Sequence, residues 1–425
     1  MDLNNATSEQ LVQLEQSLSE QYQTLQALNL NLDLTRGKPS AEQLSLSDAL
    51  DGILNGDYKS KDGTDTRNYG GLEGILESRE MGAQVLDMPV ANVLAQGSSS
   101  LTIMFQMMST AYFFGLTGKD SAWNKQESVS FICPVPGYDR HFSVCEQLGI
   151  NMINVPMSST GPDMDAVEAL IKEDKSIRGI WCVPKYSNPT GVVYSDETVS
   201  RIAKLGNIAH PDFRVFWDNA YAIHDLSENP VQLASIYEAC EKAGTQDSVI
   251  QFASTSKITL AGAGVAFVGA SETNLKGFKA ALGVQTIGPD KINQLRHARF
   301  FEKEDSLKAH MSKHAKIIKP RFACVLSHLE KEFANTDFGK WESADGGYFI
   351  SFDTQKGLAK KVVQLAADAG VKLTPAGATF PYSNDPQDSN IRIAPTVPTV
   401  TEVDQAMQIF TLCVKLATIQ QKTHK

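Results

Sequence analysis

The feature that most constrains this chain is an alternation between 93 and 268. Short apolar runs start at 93 and recur at 129–133, 150–155, 177–183, 213–217, 248–252 and 265–268. Between them lie segments of helical period at 101–114, 142–148, 164–171 and up to 205. Strand, crossover helix, strand is the repeating unit of a parallel sheet, and strands apolar throughout need both faces covered. The expected class is α/β, with a large domain whose mostly parallel sheet carries helices on both faces. In such sheets ligands gather beyond the carboxyl ends of the strands. Polar residues follow the apolar runs at that end: Ser98 to Ser100, Tyr138, Asn188, Asp218 and Lys257.

Beyond Gly288 the pattern changes. A charged helical segment is predicted over 290–333 with an interruption at Pro320. A strand follows over 346–352, a helix over 358–369, a strand over 390–394 and a last helix from Thr401-Glu-Val-Asp404. This reads as a smaller α+β domain. At the other end, Thr7-Ser-Glu-Gln10 has the form of a capping box. Leu11, Leu14, Leu18, Tyr22 and Leu25 then recur at helical spacing, and 28–34 alternates as an extended segment. Polar, loop-like sequence runs from 44 to 69, and a helix is predicted over 72–86. The N-terminal segment is expected to pack with the C-terminal part. The division is then a large domain over 46–319 and a small one built from 1–45 and 320–425.

Composition narrows the function classes. Of 425 residues 42% are hydrophobic and 21% charged, and the net charge is −10. That charge opposes nucleic acid and anionic membranes as partners. The six cysteines are scattered without a C-x-x-C pair, as reduced core cysteines are, and no metal site is expected. The opening Met-Asp-Leu-Asn-Asn has neither a basic nor an apolar leader region, and no run reaches membrane-spanning length. The expectation is a cytoplasmic protein.

The stretch Phe252-Ala-Ser-Thr-Ser-Lys-Ile-Thr-Leu-Ala-Gly-Ala-Gly264 sets one lysine in a loop of small residues beside a buried strand. That setting suits an amine that must be partly desolvated and neutral, as a Schiff-base former must be. The Ser98–Ser100 loop between a strand and a helix can expose N–H groups and a positive dipole end to a phosphate. Asp218 ends a buried strand, where a carboxylate needs a charged or hydrogen-bonded partner. Arg392 lies between Ile391 and Ile393 and needs an anion: a substrate carboxylate, or an aspartate or glutamate of the chain itself.

Ser254-Thr-Ser-Lys257, Asn188-Pro-Thr-Gly191, Asp218-x-x-Tyr221 and Asn390-Ile-Arg392 resemble, in order and spacing, the motifs of the class I aminotransferases of fold type I. Leu34-Thr-Arg-Gly-Lys-Pro39, Ala261-Gly-Ala-Gly-Val-Ala-Phe267 and 288–297 look like those of the type Ic aspartate aminotransferases. The resemblance implies pyridoxal 5′-phosphate as cofactor and a homodimer with shared active sites. It also implies an exchange between an L-amino acid, most simply aspartate, and a 2-oxo acid, 2-oxoglutarate. By the same resemblance Lys257 carries the cofactor as a Schiff base and moves the substrate proton. Asp218 pairs with the ring nitrogen, while Tyr221 and Asn188 bond the phenolic oxygen. Tyr138 stacks on the ring, and Ser98, Ser99 and Ser254 hold the phosphate. Tyr69 reaches the phosphate from the other subunit. Arg392, with Gly37 and Asn188, receives the substrate.

The chain departs from the pattern twice. Gly264 stands where many members carry a phosphate-binding arginine, and 281–288 holds no counterpart of the arginine that reads a distal carboxylate. Arg36 and Lys38 are candidates for the latter task. A β-lyase or synthase would use the same residues, and a non-catalytic sensing module of a regulator would share the fold.

Overall fold

The computed structural model describes residues 6–303 and 307–424. Met1–Asn5, on which the leader expectation rests, lie outside them. Eight strands form the large sheet in the order Val93–Gln96, Ala266–Ala270, Val249–Ser254, Arg214–Asp218, Ile177–Cys182, Ser130–Val135, Asn151–Ser158 and Gly161–Pro162. Pairing from Val249–Ser254 through Asn151–Ser158 is parallel. Ala266–Ala270 runs antiparallel to both its neighbours, and Gly161–Pro162 runs antiparallel at the far edge.

Side-chain alternation explains why these runs are apolar throughout. Ile132, Ile180, Val215 and Trp217 face one way and pack on Val167, Ile171, Val199 and Ile202 of the helices Met164–Glu173 and Asp196–Lys204. Phe131, Cys133, Trp181, Phe216 and Phe252 face the other way, onto Met104, Met107 and Met108 of the helix Ser100–Phe113. A strand buried on both faces has no solvent side to leave polar. Burying one such Phe is worth about 1.5–3 kcal/mol.

A second core joins the chain ends. Leu11 and Leu18 of the helix Ser8–Gln26 share it with Phe322, Val325 and Leu329 of Leu307–Phe333 and with Val403, Met407 and Phe410 of Val400–Thr423. Against it lies a three-stranded antiparallel sheet ordered Gly339–Trp341, Ile350–Thr354, Asn390–Ile393. Leu32–Asp33 pairs in parallel with Val371–Lys372.

Several predicted bounds shift for local reasons. Pro320 lies inside Leu307–Phe333 instead of interrupting it. Ile318 and Phe322 on either side are both buried in the core, and that packing offsets the ~3 kcal/mol a helical proline costs. The helix expected from 72 begins at Leu76, after Gly70, Gly71 and Gly74 at positive φ. The extended 28–34 segment is strand only at Leu32–Asp33, because its partner strand is equally short. The last helix starts from a capping box at Thr399, not Thr401. The Thr7–Gln10 capping box forms as the spacing predicts. The helix after Tyr138 spans Asp139–Gln147, earlier than expected.

Candidate active site

Because the central strands are parallel, their carboxyl ends open on one side, and the loops that follow them line a single cleft. Asp218 is the last residue of its strand, paired in register with Phe252, so it sits beside the exit toward Lys257. Asp218 is 2% exposed. Its Oδ2 lies 3.0 Å from His141 Nε2, while its buried Oδ1 meets no hydrogen-bond donor among the described residues. The His141 ring stacks on Trp181 at 4.1 Å between centroids and 8° between planes.

Lys257 follows Ser254 by one tight loop. Its Nζ lies 5.0 Å from the Tyr221 ring centroid and 5.9 Å from that of Tyr348. Burial lowers the Lys257 pKa from its ordinary value, and the Asp218 charge pulls the other way. Burial is also the main reason the Tyr221 and Tyr138 phenols are raised, with the Asp218 charge adding to both. The two tyrosines and the lysine are therefore all buried, and burial works against the charged form of each.

Side chains from distant segments of the chain hold the backbone behind Lys257. The Lys257 carbonyl accepts from Tyr348 Oη at 3.4 Å and faces His224 Nε2 at 3.3 Å, and His310 Nε2 lies 2.7 Å from the Ile258 carbonyl. Gln43 bridges Tyr348 at 2.9 Å and His314 at 3.0 Å. Desolvation lowers His224 to about 3 and His314 to about 4, so both are neutral near pH 7.

The two serine loops meet. Ser254 Oγ donates to Ser256 Oγ at 3.1 Å, and Ser256 Oγ donates to the Ser98 carbonyl at 3.2 Å. Ser99 precedes the helix Ser100–Phe113 and makes no side-chain cap, which leaves the helix N-terminus facing the loop uncapped. Gly264 packs into this junction. A Cβ there would stand 3.0 Å from Thr255 Oγ1 and 3.2 Å from both Ser256 N and the Ser98 carbonyl oxygen, so a side chain would press on both loops.

Arg392 lies on the strand Asn390–Ile393 opposite Ser351, and it is 6% exposed. Its Nη1 donates to Asp139 Oδ1 at 2.9 Å and to Asn188 Oδ1 at 3.3 Å, and Nε donates to Thr374 Oγ1 at 3.3 Å. The guanidinium carbon lies 4.9 Å from the Phe349 ring centroid. Gly37 meets the same ring from behind, where a Cβ would fall 2.4 Å from Phe349 Cζ. A side chain at 37 would thus push Phe349 out from under Arg392.

Lys257, Asp218, Tyr221, Tyr138, Asn188, Ser98, Ser99, Ser254, Gly37 and Arg392 all fall at this cleft. Tyr69 stands apart. The residue is 84% exposed, on a loop that Lys291 Nζ fastens through the Asn68 and Gly70 carbonyls at 2.8 and 2.7 Å. Asp139, His141, Phe349 and Tyr348 belong to the site and were not among the residues expected there. His141 could have been found, since a helix starting at 139 puts 138 and 141 on one face.

A family model described as aspartate amino-transferase matches residues 6–425. An aspartate aminotransferase from Corynebacterium glutamicum is 45% identical over 418 residues, covering 98% of this chain and 96% of that protein. A putative aminotransferase from Mycolicibacterium smegmatis is 45% identical over 93% of each chain. The crystal structure of an aspartate transaminase from Corynebacterium glutamicum superposes with a TM-score of 0.95 at 44% identity, over 99% of each chain. The α-aminoadipate aminotransferase of Thermus thermophilus shares the fold at a TM-score of 0.74 and 20% identity, over 91% of this chain and 93% of that one.

Proposed function

The chain belongs to the aspartate amino-transferase family, and from that premise we propose that it transfers an amino group between L-aspartate and 2-oxoglutarate, with pyridoxal 5′-phosphate held at Lys257. The observation that carries the reading is the orphaned Asp218 Oδ1 beside a lysine of lowered pKa. A buried carboxylate oxygen without a donor is costly, and a protonated ring nitrogen is the donor such a site lacks. The cradle of Ser98, Ser99 and Ser254 at an uncapped helix N-terminus supports a phosphate site.

When bound there, the cofactor supplies an electron sink that acidifies the substrate Cα–H. The chain's own groups do the rest. Asp218, braced by His141, would hold the nitrogen proton in place. Lys257, whose pKa burial lowers, takes the Cα proton and returns it as general base and acid. Tyr138 would cover the ring, and Tyr221 and Asn188 would bond its phenolic oxygen. Arg392 fixes the α-carboxylate, with Gly37 leaving room for Phe349 beneath it.

The type Ic resemblance favours aspartate as donor. The 84% exposure of Tyr69 supports a homodimer in which this ring reaches the second subunit's phosphate. The core shared by Leu11, Leu18, Phe322 and Phe410 supports the division into 46–319 and a small domain of 1–45 with 320–425. No described helix is long and apolar enough to cross a membrane. The net charge of −10 supports a cytoplasmic enzyme acting on small molecules.

The test is a half-reaction. Holoprotein mixed with aspartate and no oxo acid should lose the visible absorbance of its lysine-bound cofactor, and 2-oxoglutarate should restore it. Arg392→Ala should need far more aspartate for the same change, and Lys257→Ala should give none. A spectrum indifferent to a panel of amino acids would rule the reading out.

A further inference from the structure

Arg392, assigned above to the substrate α-carboxylate, already faces a carboxylate. Asp139 Oδ1 lies 2.9 Å from its Nη1, and the pair joins the large sheet's helix Asp139–Gln147 to a strand of the small sheet. Among the described residues the other partners of the guanidinium are neutral: Asn188, Thr374 and the face of Phe349. The two members of the pair are not equally fixed. The Asp139 side chain is 32% exposed and the Arg392 side chain 7%. Asp139 can turn toward water, whereas Arg392 is walled in.

A second carboxylate brought to the same nitrogen would meet Asp139 within a few ångströms, and like charges at that range repel. That repulsion favours the departure of one of the two, and the more exposed one can leave. We propose that Asp139 is a resident stand-in for the substrate carboxylate. It keeps Arg392 oriented and charge-paired in the free cleft, then swings out when the α-carboxylate arrives. Asp139 is thus a positioning residue that sets substrate affinity. The inference rests on the assignment of Arg392 to the α-carboxylate. Amino acid and 2-oxo acid both present that group, so the competition weakens both by a similar factor.

The test compares Asp139→Asn and Asp139→Glu with the wild-type holoenzyme. Calorimetry gives the affinity for succinate and propionate, two unreactive carboxylates, and steady-state kinetics give KM and kcat. In Asp139→Asn both carboxylates should bind about fivefold tighter and KM should fall alike for both substrates, with kcat moving less. Asp139→Glu keeps the competing charge and should stay near wild type. Unchanged or weaker carboxylate binding in Asp139→Asn, or equal tightening in Asp139→Glu, overturns the proposal. Arg392→Ala separates the two assignments. If it leaves carboxylate affinity intact, the α-carboxylate reading itself falls. If it abolishes that affinity while Asp139→Asn gains nothing, only the role of Asp139 falls.

Discussion

The cleft around Lys257 and the apolar seam that joins the chain ends use burial for opposite purposes. In the seam Leu11, Leu18, Phe322, Met407 and Phe410 are buried among one another, and each buried methylene adds to stability. In the cleft Asp218, Asn188 and Arg392 are buried to a similar degree, but desolvation takes back much of what their pairing returns. Asp218 Oδ1 and Asn219 Oδ1 have no hydrogen-bond partner among the described residues. Polar burial that leaves atoms unsatisfied weakens the fold and readies a site for a ligand. The difference implies that the two regions should respond to substitution in opposite ways.

Lys257→Ala should show it most sharply. Turnover should fall by about 10⁴-fold or more, as the loss of the acid–base group requires, while the melting midpoint holds or rises. A large drop in the midpoint of the cofactor-free protein would break the contrast. Phe410→Ala should do the reverse, costing about 3–5 kcal/mol in urea unfolding while leaving kcat per folded molecule within about twofold. A matching loss of kcat would show that the seam also shapes the cleft.

Acid should sharpen the comparison further. His224 and His314 are held neutral, with pKa values lowered to about 3 and about 4 by burial. Between those values and the unfolded value near 6.5 the unfolded chain binds more protons. Stability is therefore full above about pH 6.5 and falls as pH drops through that window. The slope should reach about 1.4 kcal/mol per pH unit for each histidine. Urea midpoints at pH 7 and pH 5 measure it, and His314→Asn should flatten the decline. An unchanged slope would mean that this histidine titrates normally. The smallest effect belongs to the seam's edge, where Thr399→Ala removes a capping box and should cost about 1 kcal/mol with no change in KM.

Lys257, Asp218, Tyr138 and Asn188 were legible because each follows an apolar run, and a parallel sheet sends every such run's end to the same side. The capping box at Thr7 and the helix period of 164–171 were legible for the same kind of reason, since hydrogen bonds and side-chain faces there are set within a few residues. His141 is not legible because apolar periodicity starts the helix after Tyr138 at 142, and helix ends depend on caps more than on periodicity. Pro320 misled because a local penalty was outweighed by packing on both sides of it.

By itself the sequence determined which segments are strands and crossover helices and which residues stand at the strand ends, since these follow from side-chain periodicity between near neighbours in the chain. The need of Arg392 for an anion was readable too, from two flanking isoleucines. Which anion it meets was not. Asp139 is 253 residues away, and His141 is 77 residues from the aspartate it braces. Periodicity tells which face of an element is buried and carries nothing about which distant element will arrive against it. Only tertiary packing, by closing the small sheet over the ends of the large one, chose those partners.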